Sequence, residues 1–127
     1  MSTPIQTVEN TVAEKLREIE GLKVYEVRPP GALPLPCVTL TLVHTDMDGG
    51  FPVTMQQLVV KLQVDVWTRT QDEMRDFADK VIMKIFEDRT KMGFTDIVLK
   101  GAMDRPEEKI WRRYLYYQIE TTVKKSE

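Results

Sequence analysis

QLVVKLQVDVWTRTQDEMRDFADKVIMKIFE, residues 57–87, decides the fold. Leu58, Val60, Leu62, Val64 and Val66 recur at every second position, with Lys61, Gln63 and Asp65 between them. Such alternation marks a strand with one face in a core and the other turned away from it. Thr70 then stands at capping-box spacing from Glu73, so a helix starts there. Within that helix Met74, Phe77, Ala78, Val81, Ile82, Ile85 and Phe86 keep helical spacing. The unit predicts a helix lying back over a half-buried sheet.

Toward the N-terminus, Thr3 is the expected N-cap of a first helix, with Pro4 at its first position and Gln6 completing a capping box. Ile5, Val8, Val12, Leu16 and Ile19 form its apolar stripe, and Gly21 closes it. A short strand is expected over about Lys23 to Arg28. PPGALPLP, residues 29–36, is too rich in proline for helix or central strand and reads as a stiff crossing loop. Cys37 to His44 follows as a strand, with Val38, Leu40 and Leu42 on one face and Thr39 and Thr41 on the other.

TDMDGGFPVTMQ, residues 45–56, joins this strand to the long one, and Asp48-Gly49-Gly50 has the composition of a hairpin turn. Past the second helix, Lys91-Met92-Gly93 supplies a basic last turn and a cap. A strand is expected near Asp96 to Asp104, then a polar turn over Arg105-Pro106-Glu107-Glu108. The closing strand, Ile110 to Val123, is long and aromatic. It places Trp111, Leu115, Tyr117, Ile119 and Val123 on one face and Arg112, Tyr114, Tyr116, Gln118 and Glu120 on the other. The expected fold class is α+β: a mainly antiparallel sheet with two helices on one face, in the order α-β-β-β-α-β-β, with a long β-hairpin. One domain covers residues 1–127.

The totals exclude several function classes. A net charge of −2 gives no general attraction to phosphate backbones or anionic membranes. No apolar run approaches the roughly 18 residues of a membrane span, and MSTPIQTVEN lacks the basic start and apolar segment of a secretory signal. A single cysteine, Cys37, and a single histidine, His44, leave no zinc-type ligand spacing. Asp46 and Asp48 resemble the opening of a calcium loop, but the later oxygen ligands are missing and Gln57 stands where the closing Glu belongs. A reduced, intracellular site of synthesis is expected.

No catalytic constellation emerges. Cys37 and His44 lie seven residues apart on one strand, so they point to opposite faces some 23 Å apart at about 3.3 Å per residue and cannot form a dyad. Asp72, Glu73, Asp76 and Asp79 open a helix, where the dipole favours negative charge. Arg105, Lys109, Arg112 and Arg113, interleaved with Trp111 and Tyr114, form a local basic patch of the kind that stacks bases. Glu107, Glu108 and Glu120 dilute it, and a solvated or subunit-facing sheet edge is the favoured reading. No cofactor, metal or specific nucleic acid is expected.

Strand length points to assembly. Globular strands usually run about 5–6 residues, whereas the Leu58–Trp67 strand has ten or more and the last strand about fourteen. Two helices cover one face of such a sheet, while Val59, Trp67, Ile110, Tyr114 and Tyr116 lie on or near the other. Apolar groups on an uncovered face beside unpaired edges call for another subunit; the alternative is that these side chains close a thin second layer with the proline-rich loop.

The chain resembles the tail terminators, or tail-completion proteins, of long-tailed bacteriophages, the head–tail joining class. The likeness runs through the helix from Ile5 to Ile19, LKVYEVRP, LPCVTLTLV, VDVWTRTQDEMRDFADKV and WRRYLYYQIE. It implies a structural virion protein without enzyme activity or cofactor. Such a subunit is made in the host cytoplasm and forms a homo-hexameric ring at the head-proximal end of the tail. The ring caps the tail tube and offers a docking surface to the head-completion or connector protein. A neighbouring head-completion or connector subunit is the alternative within the class. A stand-alone dimeric α+β ligand-binding or regulatory domain is the alternative outside it. For subunit and tail-tube contacts, the expected residues are Asp46, Met47, Asp48 and Phe51 at the hairpin end, with Phe51 as anchor, and Trp67, Tyr114 and Tyr116 as a second patch.

Overall fold

The computed structural model describes residues 4–26, 31–48, 55–107 and 109–124. Its elements are α1 (Pro4–Leu16), β1 (Lys23–Tyr25), β2 (Cys37–Asp48), β3 (Met55–Thr68), α2 (Gln71–Glu87), β4 (Asp96–Glu107) and β5 (Ile110–Lys124). Two helices and a five-stranded sheet in the spatial order β1-β2-β3-β5-β4 make up an α+β fold, as the patterning predicts. The sheet is antiparallel except between β1 and β2, which run parallel.

The alternating residues of β3 sort as their spacing requires. Leu58, Val60, Leu62, Val64 and Val66 are buried with Val8, Val12 and Leu16 of α1 and Met74, Ala78, Val81 and Ile85 of α2. From β5, Leu115, Tyr117 and Ile119 join them, and Trp111 packs at the margin. Both helices therefore lie on one face. Thr70 caps α2 by accepting from the Glu73 backbone N–H at 3.1 Å. Glu73 Oε1 reaches back to the Arg69 N–H at 3.1 Å, one residue before the cap. Lys84 joins the helix ends, lying 2.9 Å from Asp88 and 3.0 Å from Glu18.

Several boundaries depart from the sequence reading. α1 stops at Leu16, and the chain then tightens into i→i+3 bonds from Glu18 N–H to Lys15 and from Ile19 N–H to Leu16. Gly21, expected as the cap, has φ 80° and ends that turn instead. α2 ends at Glu87, and Gly93, φ 78°, lies beyond a run of turns. β2 continues past His44 to Asp48, because its partner β3 offers a ladder as far as Met47↔Leu58 and Asp48↔Gln57. Thr3, residues 27–30, the turn at Gly49-Gly50, Phe51 and Glu108 lie outside the described residues.

Two β-bulges interrupt the sheet. In β2 the register slips between Leu42 and His44, leaving Val43 unmatched; in β4 it slips between Leu99 and Gly101, leaving Lys100 unmatched. Leu42 pairs with Leu62, Leu62 with Tyr117, and Tyr117 with Leu99, so both bulges border one row of the sheet, on opposite sides of it.

Candidate functional site

The first bulge moves His44. Cys37 pairs with Trp67 and His44 with Lys61, and both partners belong to the helix-free set of β3. The expectation that Cys37 and His44 face opposite ways is therefore wrong: one extra residue reverses the alternation. Their separation along the strand still excludes a dyad, and Cys37 is fully buried. Among the described residues, no group of three or more His, Cys, Asp or Glu is placed to hold a metal ion, and no helix is long and apolar enough to cross a membrane.

The helix-free face carries two distinct regions. Toward the α2 end of β3, Arg112 is the hub. Its guanidinium lies 4.0 Å from the centre of the Trp67 ring and 4.2 Å from that of Tyr114. It donates to Asp65 Oδ2 at 2.7 Å, while Gln63 donates to Asp65 Oδ1 at 2.8 Å. Trp67 Nε1 donates to the Thr39 hydroxyl at 2.9 Å. Register explains the cluster: Trp67 opposes Arg112, Asp65 opposes Tyr114, and Gln63 opposes Tyr116. An Asp in the centre of a sheet is tolerated because charge and hydrogen bonds meet both of its oxygens.

Of the aromatic patch inferred from sequence, the structure brings all three members together and gives them different surroundings. Trp67 and Tyr114 are 2% and 7% exposed. Tyr116 is half-buried and stacks on Tyr114 with ring centres 6.3 Å apart. The basic patch, by contrast, divides. Arg112 and Arg105 oppose each other on the helix-free side, whereas Arg113 opposes Val66 on the helix side and pairs with Asp104, Nη2 to Oδ2 being 2.9 Å. That guanidinium holds the Asp104 carboxyl below its ordinary range.

The second region is a pocket of about 290 Å³, lined by Val43, Lys61, Lys100, Tyr116 and Gln118 with Leu62 and Tyr117. Both bulged residues wall it. Bulges bend strands and re-aim side chains, and the two here flank one row, Leu62–Tyr117, on opposite sides. The feature is invisible in the sequence, because neither VHTD nor LKGA carries a turn signal beyond the Gly101 beside Lys100.

At this end of the sheet β2, β3 and β5 outrun β4. β4 begins at Asp96, opposite Glu120, while β3 and β5 continue to Met55↔Lys124 and β2 to Asp48. The overhang amounts to about 13 Å at 3.3 Å per residue. The backbones of Met47 and Asp48 lie in it, opposite Leu58 and Gln57, and Asp46 sits at its root, in the Val59–Glu120–Asp96 row. Past Thr39, the outer edge of β2 has no strand partner among the described residues.

The chain has the fold of a virion chain. It superposes on a chain in the virion of a native gene transfer agent (GTA) particle with a TM-score of 0.67 and 17% sequence identity, over 97% of this chain and 100% of that one. No protein-family model matches the chain, and no curated protein does.

Proposed function

We propose that this chain is a structural virion protein of a tailed, phage-like particle. Its role is that of the tail terminator: a non-enzymatic subunit whose ring caps the tail tube and presents a surface to the head-completion protein. The observation that carries the reading is the end-to-end fold likeness to a chain of a virion, which spans 97% of this chain and 100% of that one. Supporting it are the free edge of β2, the overhanging hairpin and the exposed apolar residues Val43, Val98 and Met103 on the helix-free face. A lone soluble domain has no use for these, whereas a ring built from head-to-tail contacts uses two different surfaces of every copy.

Electron microscopy of the purified protein with and without tail tubes tests the reading. Six-fold annuli seated on tube ends are expected. Annuli that bind heads and ignore tubes would make it a connector subunit, and two-fold particles indifferent to both would make it a dimeric domain. Phe51→Asp, at the sequence position expected to anchor the hairpin, should abolish tube capping while the monomer stays folded. Normal capping by that variant would remove Phe51 from the interface.

A further inference from the structure

β4 ends the sheet, so alternate N–H and C=O groups along its outer side meet no strand among the described residues. Edge strands are commonly shielded by charge or proline. Between Asp96 and Lys100 this one carries Ile97, Val98 and Leu99 instead. Ile97 and Leu99 lie on the helix side, and Val98, 39% exposed, lies on the other. Both side-chain rows beside the open edge are therefore apolar.

The helix side also has room for a further side chain. α2 packs over β3 and β5, which leaves a groove of about 80 Å³ between its C-terminal half and β4, walled by Ile82, Phe86, Ile97 and Leu99. That is about half the size of an apolar cavity that admits benzene, and it suits one aliphatic side chain. Arg89 lines this groove and also a more polar hollow at the start of β4. Its guanidinium is held in place, 4.0 Å from the centre of the Phe86 ring and donating to the Phe86 carbonyl. No carboxylate pairs with it among the described residues.

An open backbone row with a side-chain groove beside it is the geometry that takes up a peptide as an added strand. We propose that β4 and α2 bind an extended segment of a partner protein antiparallel to β4, with an aliphatic side chain in the groove and a carboxylate near the segment's C-terminal end on Arg89. The bulge at Lys100 limits the added pairing to residues 96–99. Antiparallel addition is what brings the segment's C-terminal end to the hollow beside Arg89. A second copy is a poor donor. Its other open edge is β2, which β1 covers as far as Thr39, and residues 40–45 hold no carboxylate. The site does not depend on the role proposed above.

The probe is the peptide acetyl-Ser-Thr-Val-Thr-Leu with a free C-terminus, titrated into the full chain and followed by amide exchange in NMR spectra. Two companions are its C-terminal amide and an amidated peptide with Glu added after the Leu. Saturable binding is expected for both carboxylate peptides or for one of them, with slowed exchange at residues 96–99 and none in β2. The amide without a carboxylate should bind about tenfold more weakly, as loss of a charge-assisted hydrogen bond predicts. Arg89→Gln should weaken the carboxylate peptides by the same factor and leave the plain amide unchanged. Arg89 is exposed, and circular dichroism checks that the variant folds as wild type does.

No binding at about 1 mM peptide, slowed exchange outside β4 alone, or equal binding with and without a carboxylate would overturn the site. So would sedimentation showing that the chain alone self-associates and protects the same amides, because the edge would then belong to a second copy.

Discussion

Arg112 and Asp65 form a 2.7 Å ion pair in the middle of a sheet face that no helix covers. The Asp65 side chain is 2% exposed and that of Arg112 19%. Because Asp65 is sealed in, removing its partner strands a charge. Arg112→Met should cost about 3 kcal/mol, the lower end for breaking a buried pair, since Arg112 keeps some solvent. Arg112→Lys should recover only part, because an ammonium cannot lie flat against both Trp67 and Tyr114. Urea denaturation of the isolated chain measures both. Equal stability of Arg112→Met and wild type would mean the cluster contributes nothing.

Thr39→Val removes the acceptor of the Trp67 indole N–H and leaves the shape of the site unchanged. Trp67 is too buried for water to replace the hydroxyl. An orphaned donor there should cost about 1–3 kcal/mol. Thr39→Ser should stay near wild type in the same denaturation series, which separates the hydrogen bond from packing.

How far this site was legible in the sequence depends on which physical signal carries it. Period-two alternation from Leu58 to Val66 and the Thr70–Glu73 box follow local rules, and both are as expected. The grouping of Trp67, Tyr114 and Tyr116 on one face also follows from parity alone. The bulges do not. Nothing in the residues around Val43 distinguishes an inserted position from a paired one, because the slip is set by twist and by the neighbouring strand. Every face assignment past a bulge inherits the error, as His44 shows. The Asp65–Arg112 pair was hidden for a different reason: the residues lie 47 apart in sequence, and their meeting depends on β3–β5 register.

The ends of α1 and α2 are tied by Asp88, Lys84 and Glu18, and acid should loosen that tie. The Lys84 ammonium beside them holds both the Asp88 and the Glu18 carboxyls below their ordinary range, and its own proton is held more tightly in return. A carboxyl depressed on folding adds stability above its unfolded pKa and loses it as pH falls through the folded one. For Asp88 and Glu18 that window begins near pH 4 and extends below it. Lys84 contributes at neutral pH and loses its share only as pH rises past its raised value, above about 10. Thermal melts from pH 7 to pH 2 should show a steeper acid decline for wild type than for Asp88→Asn. Parallel curves would remove Asp88 from the account.

Tyr117 makes the opposite kind of prediction, a substitution that helps. Its ring is buried in the core beneath α2, its hydroxyl has no hydrogen-bond partner among the described residues, and burial pushes its pKa up. A groove beside it, lined by Ile82, Phe86, Ile97 and Leu99, is apolar apart from Arg89. Tyr117→Phe removes the unsatisfied group and keeps the ring, so the isolated chain should gain up to about 1 kcal/mol in denaturation. The same variant should pack α2 against β3 and β5 as before, with unchanged circular dichroism. If instead it is destabilised by that amount or more, the hydroxyl has a partner in solution, and the groove holds a water or a group that accepts from it.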